Sequence, residues 1–343
     1  LRHNKKINHK RINFYKIGKF LFIRVKPLGF ILLVLVLFVF AYKMTYRVFS
    51  NDYVINNFFK GVGYSQTCLT LSNDDMLPKK LYDFFATTHD YKKNITIAPI
   101  FFHNMPEKLD RVENLEVKKR LFTNILLPIL VKVENETLSD RKKILAIAQK
   151  LIEVPLNDND FSFIEEMADK YKVIISERNF WNYSMALEEL INRVDIVPTS
   201  LTLAIAAKET GWGTSRFLLE GNSLFSQYVW SDNMSMLPRG REPGLTHRIR
   251  KFNTLEEAVR AYFFNINTHK AYSEFRGSRA RMRSEDNSLD PILLAYRLEN
   301  YSVENMDYIK DLISIIRTNN LLQYDSLKAF NRSYSSSICV NII

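Results

Sequence analysis

The sequence predicts a mostly helical α+β protein with one small β-lobe, and three observations predict it. Apolar residues recur at helical spacing through much of residues 76–194 and again through 254–318. Between those blocks, SQYVW (226–230) and HRIRKF (247–252) have strand character. Turn material separates them: Ser231-Asp232-Asn233, Pro238, Gly240 and Pro243-Gly244. With 46% hydrophobic residues over 343 positions, the chain has apolar material for one sizeable core and a second small one.

The first element in order is a basic tail. Residues 1–26 hold Arg2, Lys5, Lys6, Lys10, Arg11, Lys16, Lys19, Arg24 and Lys26 and no acid. Removing those nine from the 48 basic residues leaves 39 against 37 acids, so the net charge of +11 belongs to the tail. That distribution argues against a nucleic-acid partner. PLGFILLVLVLFVFAY (27–42) follows without a charge, and Met44, Tyr46, Val48 and Phe49 extend it while Lys43 and Arg47 snorkel. A positive flank before an apolar run places the N-terminus in the cytoplasm and the remainder across the membrane. The competing reading is a secretory signal, but no A-x-A-like cleavage site follows. We therefore expect a tail at 1–26, a single-pass inner-membrane anchor at 27–48 and a polar linker at 49–75.

Residues 76–180 are expected to be a helical membrane-proximal region. RLFTNILLPILVKVENET (120–137) has helical spacing that Pro128 should end or kink, and Ser139 is placed to cap a second helix over 139–153. FSFIEEMADKYKV (161–173) and SMALEELINRV (184–194) are further helices. The two cysteines, Cys68 and Cys339, lie too far apart in sequence for their spacing to predict a pair. No C-x-x-C or histidine cluster suggests a zinc site, and neither a metal nor an organic cofactor is expected.

TSLTLAIAAKETGWGTSRF (199–217) is the most informative stretch. An apolar helix delivers one carboxyl, Glu209, to its C-terminal end, where Gly211-Trp212-Gly213 turns the chain. The negative end of a helix dipole and apolar neighbours both disfavour a further negative charge there. Cleaving a glycosidic bond calls for a carboxylic acid that keeps its proton until the bond breaks. Downstream, Thr254-Leu255-Glu256-Glu257 has capping-box spacing before an apolar face of Ala258, Val259, Tyr262, Phe263 and Ile266. Two more helices are expected near 289–299 and 304–318. Arg276, Arg279, Arg281 and Arg283 read as a solvated basic loop, with anionic wall polymers the alternative partner.

ETGWGTSRF with GNSLFSQYVW (221–230) resembles the glucosaminidase family that cleaves bacterial peptidoglycan, and most closely its Bax-type membrane-associated branch. Family members look like E-S-G-W-G-T-S-R-F followed by G-N-N-L-F-G; this chain has Thr210, Ser223 and Ser226 where they have Ser, Asn and Gly. The resemblance covers about 195–320 well and 76–195 loosely. It implies a lysozyme-like catalytic domain, here expected over 181–330, with 331–343 a C-terminal tail. It also implies hydrolysis of β-1,4 bonds in peptidoglycan glycan strands, with Glu209 as general acid.

A second carboxyl commonly comes from the β-lobe in the family, which makes Glu242 in MLPRGREPGL the candidate; the substrate's own N-acetyl group is the alternative. ENYSVENMDYIKDLISII (299–316) resembles the family's late motif G-Y-A-T-D-P-x-Y-A, whose first tyrosine falls on Tyr301, with Asn300 replacing the glycine. Trp212, Phe225, Gln227, Tyr228 and Trp230 are candidates for lining a saccharide groove. Trp212 and Phe225 fit core packing equally well. Two rivals remain. A lytic transglycosylase would leave an anhydro sugar instead of a reducing end, and a non-catalytic wall-binding scaffold would retain the wall without releasing fragments.

Overall fold

The structure, a computed structural model, describes residues 63–64, 68–88, 97, 99–239, 241, 244–298, 306–326 and 338–343. The tail and the apolar run expected as an anchor lie outside them. Among the described residues no helix is long and apolar enough to cross a membrane.

Ten helices can be followed through the described residues: α1 (Leu77–Thr88), α2 (Leu115–Glu153), α3 (Asp158–Lys170), α4 (Phe180–Arg193), α5 (Thr199–Thr210), α6 (Arg216–Gly221), α7 (Leu255–Thr268), α8 (Ser273–Glu285), α9 (Pro291–Ala295) and α10 (Met306–Thr318). The strands are β1 (Gly63–Tyr64), β2 (Leu69–Leu71), β3 (Ile100–Phe102), β4 (Tyr228–Val229), β5 (Ser235–Met236), β6 (Arg248–Arg250) and β7 (Ile338–Ile342). They form two sheets, in the orders β1-β2-β7-β3 and β4-β6-β5. The second is the expected β-lobe, antiparallel throughout, with Tyr228 opposite Ile249 and Ser235 opposite Arg250. The whole is a mostly helical α+β fold.

Pro128 does not end its helix. Residues 120–137 and 139–153, expected as two helices, form the single helix α2, capped by Asn114, whose side chain accepts from the backbone of Glu116 and Val117. Proline removes one backbone donor from a helix. Here Ile125, Leu126, Leu127, Ile129, Leu130 and Val131 around it are all buried, and that packing offsets the lost bond. Ser139 is therefore an interior residue and caps nothing.

The four-stranded sheet was not expected, and its two central strands, far apart in sequence, correct the outline. Residues 338–342, expected within a tail, form the strand β7 between β2 and β3, parallel to both. Residues 69–71, expected within a linker, pair with it. A Cys68–Cys339 disulfide closes 271 residues of chain across this sheet. Asn104 adds two side-chain bonds to Ile342, donating to its carbonyl at 2.7 Å and accepting from its amide at 2.9 Å.

The basic stretch is no loop. Arg276, Arg279, Arg281 and Arg283 lie on α8, and Arg279 is 1% exposed. Its guanidinium donates to the carbonyls of Asn192, Arg193, Asp195 and Ile196 and to Asn267 Oδ1, at 2.8–3.1 Å. Arg276 donates to the Ile266 and His269 carbonyls. These arginines thus satisfy the carbonyls that α4 and α7 leave orphaned at their C-terminal ends, where the dipole is negative. Arg283 grips the buried Asp195 carboxylate with two bonds of 2.9 Å, and Arg141 approaches it at 3.5 Å. Burial alone would raise the Asp195 carboxyl, but the Arg283 hydrogen bonds and the charges of Arg279, Arg141 and Arg283 hold it below its ordinary value. Burial lowers Arg279 to about 10, so it stays charged at neutral pH.

Replacing Arg279 with Leu should cost about 3–5 kcal/mol, because it leaves five acceptors each short of a donor and removes a cation near the buried Asp195 carboxylate. A urea unfolding midpoint that moved no further than for an exposed arginine, about 0.5 kcal/mol, would contradict this placement.

A second buried group gives a pH prediction. Glu134 of α2 accepts from Thr199 Oγ1 at 2.7 Å. Burial pushes its carboxyl up to about 8, opposed by the Thr199 bond and helped by the nearby Asp325 charge. The folded state therefore holds this proton more tightly than the unfolded chain does. The stability from that proton is complete below about pH 4.5 and is lost as pH rises to about 8. Glu134→Gln, which keeps an acceptor for Thr199, should unfold at the same temperature as the parent at pH 4 to 5 and at a higher one at pH 9. Parallel melting curves across that range would refute the assignment.

Candidate active site

Helix α5 is hydrophobic almost all round, and Thr199–Ala207 and Thr210 are buried, as expected of a helix through a core. Its N-terminal amides are met by Asp325, which accepts from the Ser200 amide at 2.8 Å and its hydroxyl at 2.7 Å. Its C-terminal end is closed by Gly211 in the left-handed conformation, φ +56°. Thr210, which replaces the family's serine, keeps the hydroxyl's work: it donates to the Ala206 carbonyl at 2.6 Å and accepts from the Gly213 amide at 3.1 Å.

The turn after it is tight. Trp212 is also left-handed, φ +58°, and Gly213 has φ +92°. A Cβ on Gly213 would stand 2.7 Å from Leu109 and 3.0 Å from Phe122, so only glycine fits. Trp212 is half-buried, edge-on to Phe122 of α2 at 5.8 Å, with Lys119 Nζ 5.4 Å from its ring centre. One side of the ring is thus committed to packing.

Glu209 is half-buried at the last turn of α5. Tyr308 of α10, 2% exposed, donates from its hydroxyl to Glu209 Oε1 at 2.9 Å. Burial, then the adjacent Glu209 charge and this hydrogen bond, raise the phenol far above its ordinary value, so it remains a neutral donor. Lys208 Nζ lies 5.1 Å from the Tyr308 ring centre and is tied to Asp311 at 2.7 Å. Tyr308 was absent from the sequence candidates. The signal was present as the second tyrosine of ENYSVENMDYIKD, but it falls on the apolar face of α10 beside Ile309 and Leu312, where a tyrosine reads as core.

The other candidates separate clearly. Phe225, a groove candidate that fitted core packing equally well, packs in the core: it is 4% exposed and stacks on the fully buried Tyr262 at 4.1 Å. Gln227 is half-buried, while Tyr228 and Trp230 are 58% and 73% exposed on the β-lobe, with Tyr228 stacked on His247 at 4.4 Å. Glu256 and Glu257 have structural partners, Lys132 and Arg260 for the first and the Asn253 amide for the second. Glu242 and Tyr301 lie outside the described residues. A cavity of about 430 Å³ between α3 and the start of α4, lined by residues such as Glu165, Asp169 and Arg178, shares no residue with this site.

A carboxyl presented at the end of a core helix and bonded by a neutral phenol, with exposed aromatics on the β-lobe, is an arrangement able to hand a proton to a glycosidic oxygen. Residues 184–321 match the glucosaminidase domain, described as mannosyl-glycoprotein endo-beta-N-acetylglucosaminidase. The chain is similar to Protein bax of Escherichia coli (strain K12), 28% identical over 208 residues, which is 60% of this chain and 71% of that protein. It also matches the catalytic domain of the autolysin Auto of Listeria monocytogenes, with TM-score 0.30 and 17% identity over 54% of this chain and 87% of that one. Residues 184–321 thus carry a glucosaminidase domain, that of a glycoside hydrolase, and the chain around it is similar to Protein bax.

The family's last glycine in G-N-N-L-F-G falls on Ser226, whose φ is +48°. A side chain in the left-handed region costs about 1–2 kcal/mol, part of which glycine's greater unfolded-state freedom cancels. Ser226→Gly should therefore raise stability by roughly 0.5–1 kcal/mol, read as a higher urea midpoint at an unchanged slope. A lower midpoint would show that Ser226 makes a compensating bond.

Proposed function

We propose that this chain is a membrane-anchored hydrolase of β-1,4 glycosidic bonds in peptidoglycan, cutting after N-acetylglucosamine with Glu209 as the general acid. The observation that carries the reading is the Glu209 carboxyl at the end of a buried helix inside the glucosaminidase-matched segment, with Tyr308 bonded to it at 2.9 Å. Glu209 transfers its proton to the glycosidic oxygen as the bond to the anomeric carbon breaks, and water completes the hydrolysis. The positive charge that develops on the sugar is met by Glu242 or by the substrate's acetamido oxygen, and Tyr301 assists. On this reading Tyr228 and Trp230 offer flat apolar faces and Gln227 an amide to successive sugars, and Trp212 adds a further ring.

The anchor is the uncharged run within 27–48 behind its basic flank, which puts the catalytic part outside the cytoplasm at the inner membrane. Alkaline extraction that freed the full chain from membranes would rule the anchor out.

Digestion of purified peptidoglycan by the full chain in detergent, beside Glu209→Gln, tests the chemistry. The parent should release fragments ending in reducing N-acetylglucosamine, and the variant should lose at least about a thousand-fold in rate while keeping the parent's melting temperature. Anhydro-muramyl ends would transfer the chain to the transglycosylases. Full activity in Glu209→Gln would sink the acid assignment.

A further inference from the structure

The ground behind Glu209 is made of phenols. Three tyrosines from three different elements converge there: Tyr308 from α10, Tyr262 from α7, and Tyr272 from the short 3-10 turn Lys270–Tyr272. Tyr262 is fully buried, Tyr272 is 8% exposed, and the Glu209 charge acts on both Tyr308 and Tyr262. Of the three, Tyr308 bonds the carboxyl directly, and its own ring is held between Lys208 above and the core below. Lys208 is itself tied to Asp311 at 2.7 Å.

We propose that Tyr308 is the positioning residue of the proposed acid. Its hydroxyl occupies Glu209 Oε1 as a hydrogen-bond donor, fixes the carboxyl's rotamer, and assigns the transferable proton to Oε2. The inference rests on the reading of Glu209 as the general acid and deepens it. Three physical points carry it. A phenol this deeply buried beside a carboxyl cannot ionise, so it donates at every working pH. A donor to one carboxyl oxygen makes that oxygen the poorer site for the acid proton. Both partners also sit on helices that pack against each other, α5 and α10, so the bond is held by the core and not by a loop.

Among the described residues, Tyr308 of α10 bonds this carboxyl and the Glu209 charge also acts on Tyr262 of α7, while Lys208 of α5 and Asp311 of α10 form an ion pair beside Tyr308. A hydrogen bond to the carboxylate favours its charged form. Removing the bond should therefore raise the pH at which Glu209 gives up its proton, while letting the carboxyl swing and slowing the transfer itself. These two effects have opposite signs at neutral pH, and that opposition is the signature.

The test uses the full chain with ¹³C-labelled glutamate, in which the Glu209 carboxyl signal is assigned by its loss in Glu209→Gln. In Tyr308→Phe its titration midpoint should move up, since the donor that favours the carboxylate is gone. Placing 3-fluorotyrosine, a stronger donor of the same shape, at position 308 alone should move it down. On peptidoglycan, Tyr308→Phe should lower kcat on the order of ten- to a hundred-fold with KM unchanged, and shift the alkaline limb of the rate profile upward by the same interval. A merely structural tyrosine would lower the plateau and leave the limb in place. Superimposable carboxyl titrations for parent and variant would overturn the proposal. The titration decides Tyr308 whether or not peptidoglycan is the substrate, whereas a parent chain that releases no fragments would overturn only the proposed function.

Discussion

A buried guanidinium decides where the helix that carries Glu209 begins. Arg279 gathers the last carbonyls of α4 and the carbonyls of the turn at Asp195 and Ile196 around one planar group. That turn is the only stretch of chain between α4 and α5. Burying a cation is costly unless its donors are met in full, and here five acceptors and the charge of Asp195 meet them. Lysine would bring one point charge to a site shaped for a fork. Helix α5 is 12 residues long, so about 18 Å of rigid backbone separates this clamp from the carboxyl at the other end. A small tilt at the clamp becomes a larger displacement of the acid.

The other constraints on α5 act at its two ends and differ in kind. At the N-terminus they are polar: Asp325 accepts from Ser200, and Glu134 accepts from Thr199, two carboxyls from distant parts of the chain on adjacent residues. At the C-terminus they are steric. Gly211, Trp212 and Gly213 all adopt positive φ in succession, and Gly213 lies against Leu109 and Phe122 with no room for a side chain. Strained backbone of this sort persists only where the surroundings over-determine it. The surroundings here are α2 and the 3-10 turn Glu107–Arg111 that follows β3. The four-stranded sheet is thereby tied to the site: His103, just after β3, donates to Val340 of β7 and accepts from the Leu255 amide that opens α7.

What the sequence made legible follows from how local each signal is. Glu209 and its glycine turn could be read because helix, acid and turn are consecutive. The β-lobe could be read because both strands and their turns lie within 226–252. Tyr308 could not be picked out, because its partner is 99 residues away and its position on α10 is an ordinary core position. The arginines of α8 misled for a related reason. Four cations within eight residues read as solvated, although Arg276, Arg279 and Arg283 recur at helical spacing beside Phe275. Sheet pairing was the least accessible feature. Ile338, Val340 and Ile342 alternate as a strand should, yet their partners lie near residues 70 and 101, and nothing in a single sequence joins such distant segments.

The β-lobe contrasts with α5 in every energetic respect. Its strands are two, two and three residues long, and Met236 and Ile249 are its buried apolar residues, with Met236 reaching Gly221 at the end of α6. So little burial gives the lobe a low opening free energy compared with the core helix beside it. Its connection to that core passes through Leu224 and Phe225, both buried, and then Ser226, which is held left-handed at the point where the lobe departs. The chain thus joins a rigid acid to a lightly stabilised aromatic lobe through one strained residue. A glycine at that residue would relax the junction without touching either side. The serine therefore adds strain at the boundary between the core that holds Glu209 and the lobe that exposes Tyr228 and Trp230.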